Sequence, residues 1–290
     1  MTDAPEPTHL SERARIIAKS ASIDRISYIF NWMWVSNNTA EEVEAISRRM
    51  LATENTSQAP CLLVVGPTGI GKTALLNHLK KHVFSKNRAI KYFDPRHCPT
   101  YKAFLTQLAK LLGISIASRN LPANSVLEDE IGRVFLLQGV KAIVIDNLHD
   151  LMRGTARDQR NILTYLRELS CAEKPILLLC FGIERVTSAI RSDEQLERRF
   201  VFFDMPVWRV GSEFTSFLSA IESELPLLNP SGLTGRSKVN FLISHSHGVT
   251  SKIIEAVKHA AIYAITTQQE RITLELLKKG ANAPFQQEGW

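Results

Sequence analysis

Five short apolar runs, each separated from the next by stretches with a helical apolar repeat, pace the middle of the chain. They are 61–65 (CLLVV), 89–93 (AIKYF), 142–146 (AIVID), 175–181 (PILLLCF) and 200–204 (FVFFD). Most lack polar alternation, which predicts strands buried on both faces, as in a parallel sheet sandwiched by helices. Between them, apolar residues at three- and four-residue steps predict helices over 72–85, 99–112 (stopped by Gly113), 126–138 and 157–170. Strands alternating with helices give an α/β fold with a five-stranded parallel sheet. Upstream, Ile16, Ile17, Ile23, Ile26, Ile29, Phe30 and Trp34 predict a helix over 11–36, and Thr39-Ala-Glu-Glu reads as a capping box opening a helix over 40–52. Trp32, Met33 and Trp34 suit packing onto the next domain or, alternatively, covering a nucleotide base. From Gly211 the strand pattern ends, and 213–225, 237–244, 250–267 and 273–279 read as helices. The expected organisation is an N-terminal arm with helices (1–57), a sheet core (58–206), a small helical domain (207–279) and a loose tail (280–290). Residues 1–10 carry no apolar period and read as disordered.

The run 61–65 enters Gly66-Pro67-Thr68-Gly69-Ile70-Gly71-Lys72-Thr73, with Ala74 opening the apolar repeat that follows. This is G-x-x-x-x-G-K-[ST] between a strand and a helix, the setting a phosphate-binding loop needs. Glycines let the backbone curl its N–H groups inward, and the positive end of the next helix adds to that field. Lys72 is placed to reach the β- and γ-phosphates of ATP, and the Thr73 hydroxyl to ligate Mg²⁺.

Composition narrows the class further. The chain has 290 residues, 44% hydrophobic and 22% charged, ordinary for a globular protein with a substantial core. No apolar run approaches the length of a membrane helix, and the N-terminus lacks the pattern of a signal peptide, so a reduced cytoplasmic setting without membrane contact is expected. The cysteines at 61, 98, 171 and 180 have no metal or redox spacing, and Cys61 and Cys180 fall in predicted buried strands. A net charge of +6 and a pI near 9.2 permit a polyanionic partner without demanding one.

Asp146 ends an apolar strand and suits the Walker B role of holding Mg²⁺ and its water. A strand and at least two helices lie between Lys72 and Asp146, which predicts a further strand between the two motif strands. Proteins of that topology activate water with an extra acidic residue, normally a glutamate directly after the aspartate. Here that position is Asn147, whose amide can orient water but cannot take its proton. His149 and Asp150 are nearby substitutes, His149 reading more simply as a packing residue. In Asp193-Glu-Gln-Leu-Glu-Arg-Arg-Phe, two arginines precede the fifth strand. Ring-forming nucleotidases place an arginine there to reach a neighbouring subunit's γ-phosphate. Arg199 is the first choice and Arg198 the second, with a surface salt bridge as the alternative for either. Lys252, near the start of the helix over 250–267, is a further candidate nucleotide contact or a plain solvated lysine.

The runs IDNLHDLMRGTARDQRNILTYLREL, SDEQLERRF, ESELPLLNPSGL and HSHGVTSKIIEAVKHAAIYAITTQQERITLELL together resemble the TniB/TnsC group of AAA+ transposition ATPases, TniB more closely, over about 20–279. The resemblance implies an AAA+ P-loop NTPase core with a helical lid. It also implies ATP-dependent assembly of a homo-oligomer, a ring or helical filament, on double-stranded DNA without sequence choice. It further implies recruitment of a DDE transposase and coupling to a TniQ-like targeting protein. Two positions depart from the pattern: Asn147, and Ile183 where a polar sensor is expected after the fourth strand. Both weaken hydrolysis and leave Mg²⁺–ATP binding by Lys72, Thr73 and Asp146 intact.

For DNA, residues 88–119 carry Arg88, Lys91, Arg96, Lys102, Lys110 and Arg119 against one acidic residue, Asp94. Arg96, Lys102 and Arg119, with Arg153 and Arg157 after the Walker B strand, are the candidate phosphate contacts; a merely solvated basic face is the alternative for each. Two other functions stay open: a signalling or scaffold NTPase acting on proteins, and a helicase loader or origin-binding ATPase.

Overall fold

The apolar runs pair side by side as parallel strands in a computed structural model that describes residues 7–31, 34–53, 58–85, 87–96, 98–116, 123–171 and 175–282. Along the chain lie α1 (Glu12–Ala18), α2 (Ser22–Asn31), α3 (Asn38–Ala52), β1 (Cys61–Val65), α4 (Lys72–His82), β2 (Ile90–Phe93), α5 (Tyr101–Leu111), α6 (Asn124–Leu137) and β3 (Ala142–Ile145). A 3-10 turn (Leu148–Arg153) leads to α7 (Ala156–Leu169), β4 (Leu177–Gly182), α8 (Arg185–Arg191), α9 (Glu194–Glu197) and β5 (Phe200–Asp204). Four helices follow: α10 (Ser212–Glu224), α11 (Arg236–Ser246), α12 (Thr250–Thr266) and α13 (Leu274–Asn282).

The strand order is β2-β3-β4-β1-β5. The expected extra strand between the two motif strands is thus β4, with Leu63 paired to Cys180 and Ile145 to the same Cys180 from the other side. All of β1, β3 and β4 is buried, as continuous apolar runs require. Leu63, Val65, Ile145 and Leu178 meet Phe104, Leu105 and Leu108 of α5 and Ile162 and Leu166 of α7 in one core. Because strand side chains alternate, Leu62 and Val64 point to the opposite face, and they are equally buried. All four cysteines are free; Cys61 and Cys180 are buried, and burial pushes the Cys61 thiol up to about 12.

Two compact units divide the chain. One comprises 39–68 and 72–205, which holds the sheet; the other takes the described parts of 1–38 and 206–290 together with 69–71. In the second unit, α2 supplies Ile26 and Ile29 to a core with Phe214, Leu218, Ile253, Val257, Ile262 and Leu277. The helix expected over 11–36 is two helices. It breaks at Lys19, whose amide turns back to the Ile16 and Ile17 carbonyls, and Ser20 and Ser22 are residues that compete with helical bonding. Trp32 and Met33 lie outside the described residues, whereas Tyr28 and Phe30 pack against this helical core. Arg25 ties α2 to the helical core: its guanidinium donates to the Pro226 carbonyl at 2.7 and 3.0 Å and is paired with the Glu270 carboxylate. Gly280 lets α13 approach α12 closely, since a Cβ there would stand 2.6 Å from the Ala260 amide nitrogen.

Candidate functional site

The phosphate-loop sequence folds as its glycines dictate. Gly69 and Gly71 have φ of 81° and 108°, a region that side chains rarely adopt. The loop runs from the buried end of β1 into α4, whose first residue is Lys72, so helix amides stand at its mouth. Lys72 Nζ donates to the Gly66 carbonyl at 2.7 Å and the Pro67 carbonyl at 2.9 Å. Burial lowers its pKa, and the Asp146 charge works against that shift. Thr68 and Thr73 are exposed, Ala74 is half-buried and Ile70 is buried. In the helical unit, the Ser251 amide donates to the Gly69 carbonyl at 2.9 Å, and a Cβ on Gly69 would collide with Ser251 Oγ. Lys252, next along α12, is exposed.

Asp146 follows β3 directly. Its pKa is raised, first by burial and also by Asp94, against the Asn147 amide and the Lys80 and Lys72 charges that lower it. Asn147 takes φ 53°, the left-handed region, and its amide donates to Asp146 Oδ1 at 2.9 Å. Asparagine tolerates that backbone better than most residues. The 3-10 turn that follows holds His149 and Asp150 half-buried, 3.8 Å apart, and His149 Nδ1 is buried without a partner among the described residues. A carboxylate that sequence reasoning passed over stands beside them. Phe93 pairs with Ile145, so Asp94 and Asp146 are the next residues on neighbouring strands. The signal was there: an acidic residue directly after an apolar strand, the position that singled out Asp146.

The two arginines before β5 differ. Arg199 is turned inward, donating to the Gln195 carbonyl at 3.1 Å and Ser170 Oγ at 2.9 Å. Arg198 is 82% exposed, with Glu194 at 4.0 Å as its ion-pair partner.

The basic candidates come from two loops that the fold joins. The Tyr101 amide at the start of α5 donates to Asp158 Oδ1 at 2.8 Å, near the start of α7. Gly154 lies so close to Pro99 that a Cβ would run into its carbonyl oxygen. Lys102 and Arg157 flank the first contact, and Arg153 and Arg96 the second. Arg153 pairs with Asp150 at 3.0 Å and is 69% exposed; Arg157 is exposed and Lys102 half-buried. Arg119 lies outside the described residues. No described helix is long and apolar enough to cross a membrane.

The loop and the strand-end carboxylate fit a bound nucleotide: left-handed glycines, a helix start, a lysine held by exchangeable carbonyls and a half-buried aspartate at the end of β3. Comparisons with known proteins agree on the fold. The Aeropyrum pernix ORC2 protein in its ADPNP-ADP complexes is 19% identical over 89% of this chain and 71% of that one, with a TM-score of 0.61. The Aeropyrum pernix ORC1 protein in complex with DNA is 16% identical over 88% of this chain and 68% of that one, with a TM-score of 0.58. A single-site mutant of RuvB from Thermotoga maritima is 13% identical, covering 85% of this chain and 70% of that one, at a TM-score of 0.54. These likenesses give the fold, that of the AAA+ P-loop ATPases. A search of the curated proteins found no match. The family model for the bacterial TniB protein matches residues 25–210, a span that holds the phosphate loop, Asp146, Arg198 and both basic loops. The chain belongs to the TniB family.

Proposed function

We propose that this protein is an ATP-switched regulator of DNA transposition. It binds Mg²⁺–ATP, assembles as a ring or helical filament on double-stranded DNA, and recruits a DDE transposase and a TniQ-like targeting partner. Membership of the TniB family carries the reading. Lys72 and the loop amides would hold the β- and γ-phosphates, and Thr73 and Asp146 the metal, which when bound neutralises phosphate charge. Among the arginines before β5, Arg198 is the better placed to reach a neighbouring subunit, because the Arg199 guanidinium is engaged within its own chain. Lys252 is a further candidate contact to nucleotide. Asn147 makes hydrolysis slow, so ATP acts more as an assembly ligand than as a fuel. Arg96, Lys102, Arg153 and Arg157 supply phosphate contacts from two joined loops, a sequence-independent mode.

A second reading, an origin-binding or helicase-loading ATPase, draws on the likeness to ORC proteins, one of them in complex with DNA. The two part on their partners: a transposase and a TniQ-like protein, or a replicative helicase. The test of the main reading is electron microscopy and sedimentation with duplex DNA, with and without Mg²⁺–ATP. Rings or filaments only when both are supplied is the expected result. A protein that stays monomeric with both removes the proposal, and one that assembles without binding duplex is a scaffold acting on proteins.

A further inference from the structure

Asp94 and Arg96 join the end of the sheet to the basic loops. Asp94 leaves β2 beside Asp146, whose amide donates to the Phe93 carbonyl at 3.3 Å. Two residues on, Arg96 turns back: its Nε donates to Asp94 Oδ2 at 2.7 Å, a terminal guanidinium nitrogen lies 2.7 Å from the same oxygen, and its backbone amide donates to Oδ1 at 3.1 Å. Burial pushes the Asp94 carboxyl up, but the bonds from Arg96 outweigh it and hold the group below its usual range. The Arg96 side chain is 68% exposed, and it also feels Asp146 and Asp150. One solvent-facing guanidinium therefore neutralises a carboxylate, itself 42% exposed, next to the Walker B carboxylate, and does so from a loop read as a DNA contact.

We propose that Arg96 is shared between the nucleotide pocket and DNA. In the free protein it sits on Asp94; on duplex DNA it moves to a backbone phosphate and uncovers Asp94 beside Asp146. The identity of the polyanion rests on the function proposed above. An exposed ion pair is weakly held, and a phosphodiester offers the same guanidinium fork an equivalent partner. Uncovering Asp94 makes the surroundings of Asp146 more negative and favours a divalent cation there. By linkage, a cation there draws on Asp94 and releases Arg96 to the duplex, so the two ligands favour each other. The amide of Arg96 keeps the turn in place while its side chain changes partner.

The test is a double-mutant cycle on duplex affinity, read by fluorescence anisotropy with the full chain, once in EDTA and once with Mg²⁺ and a non-hydrolysable ATP analogue. Asp94→Asn keeps an acceptor for the Arg96 amide and removes the charge. It is expected to tighten duplex binding about fivefold, the low end of measured couplings. Arg96→Ala is expected to weaken binding and to lower the salt slope by about one. In the Arg96→Ala background, Asp94→Asn should then change nothing. Equal tightening in both backgrounds would mean general charge repulsion and overturn the proposal, as would no tightening by Asp94→Asn alone. A wild-type chain that binds no duplex under any of these conditions defeats the proposed function, and this coupling with it. Binding with an additive cycle defeats the coupling alone.

Discussion

Arg198 and Arg199 are adjacent in sequence and opposite in placement, one exposed and one bonded within its own chain. Arg199 commits its guanidinium to the Gln195 carbonyl and Ser170 Oγ, tying β5 to the end of α7. Its replacement by alanine is expected to cost about 1 kcal/mol in chemical denaturation, because the buried Ser170 hydroxyl loses its donor. Arg198→Ala should leave the denaturation midpoint alone and instead lower ATP-dependent assembly on DNA; an unaltered sedimentation profile would remove Arg198 from the interface. Sequence could not separate the two, since which arginine faces inward depends on the register of α9 against β5. Asn147 supplies a second test. Asn147→Glu is expected to raise phosphate release on DNA by about tenfold or more, in line with the usual gain from a positioned base. It should also cost about 1 kcal/mol of stability, because glutamate tolerates φ 53° less well. No gain in turnover would show that the missing carboxylate is not what limits the reaction.

At the scale of elements, the strands were legible because continuous apolar runs of four to six residues have few other uses in a chain that alternates with helices. The β4 insertion followed from counting elements between Lys72 and Asp146. What escaped were α8 and α9, seven and four residues long, too short to show a helical period, and the 3-10 turn, whose Leu148, Leu151 and Met152 are buried without any regular spacing. The break between α1 and α2 was hidden by apolar residues that keep a helical rhythm across it. Also invisible was the clasp of Arg25 on Pro226 and Glu270, which joins positions far apart in sequence. The Arg25 side chain is only 6% exposed, so Arg25→Ala should destabilise by about 3–5 kcal/mol, leaving a carboxylate and a carbonyl without their partner. Arg25→Met combined with Glu270→Gln should recover much of that loss; a double variant as unstable as the single would mean the arginine acts by packing.

For the molecule as a whole, the sheet unit carries the phosphate loop's lysine, the strand-end carboxylates and both basic loops. Duplex binding through those loops should be insensitive to sequence and steeply dependent on salt. Lys102→Ala is expected to lower affinity equally on unrelated duplexes and to reduce the slope of log affinity against log salt by about 0.9. A slope equal to wild type would place Lys102 outside the interface. The basic stretch was visible in the sequence as charge; that it meets the segment carrying Arg153 and Arg157 was not, because the Tyr101–Asp158 bond and the Gly154–Pro99 approach link segments that are far apart along the chain.

In a cell crowded with small anions, the state of Lys72 decides which of them can enter. Its ammonium is already engaged by two carbonyl oxygens of its own loop. An inorganic phosphate or a stray chloride meets at most the one ammonium N–H that those carbonyls leave over, and brings few contacts of its own. A ligand with three linked phosphates makes enough simultaneous contacts to offset the exchange. The loop thus screens its visitors by valency before any base or sugar is inspected. Millimolar orthophosphate should therefore leave the binding curve of a fluorescent triphosphate unshifted, and marked competition would show that the lysine stands open.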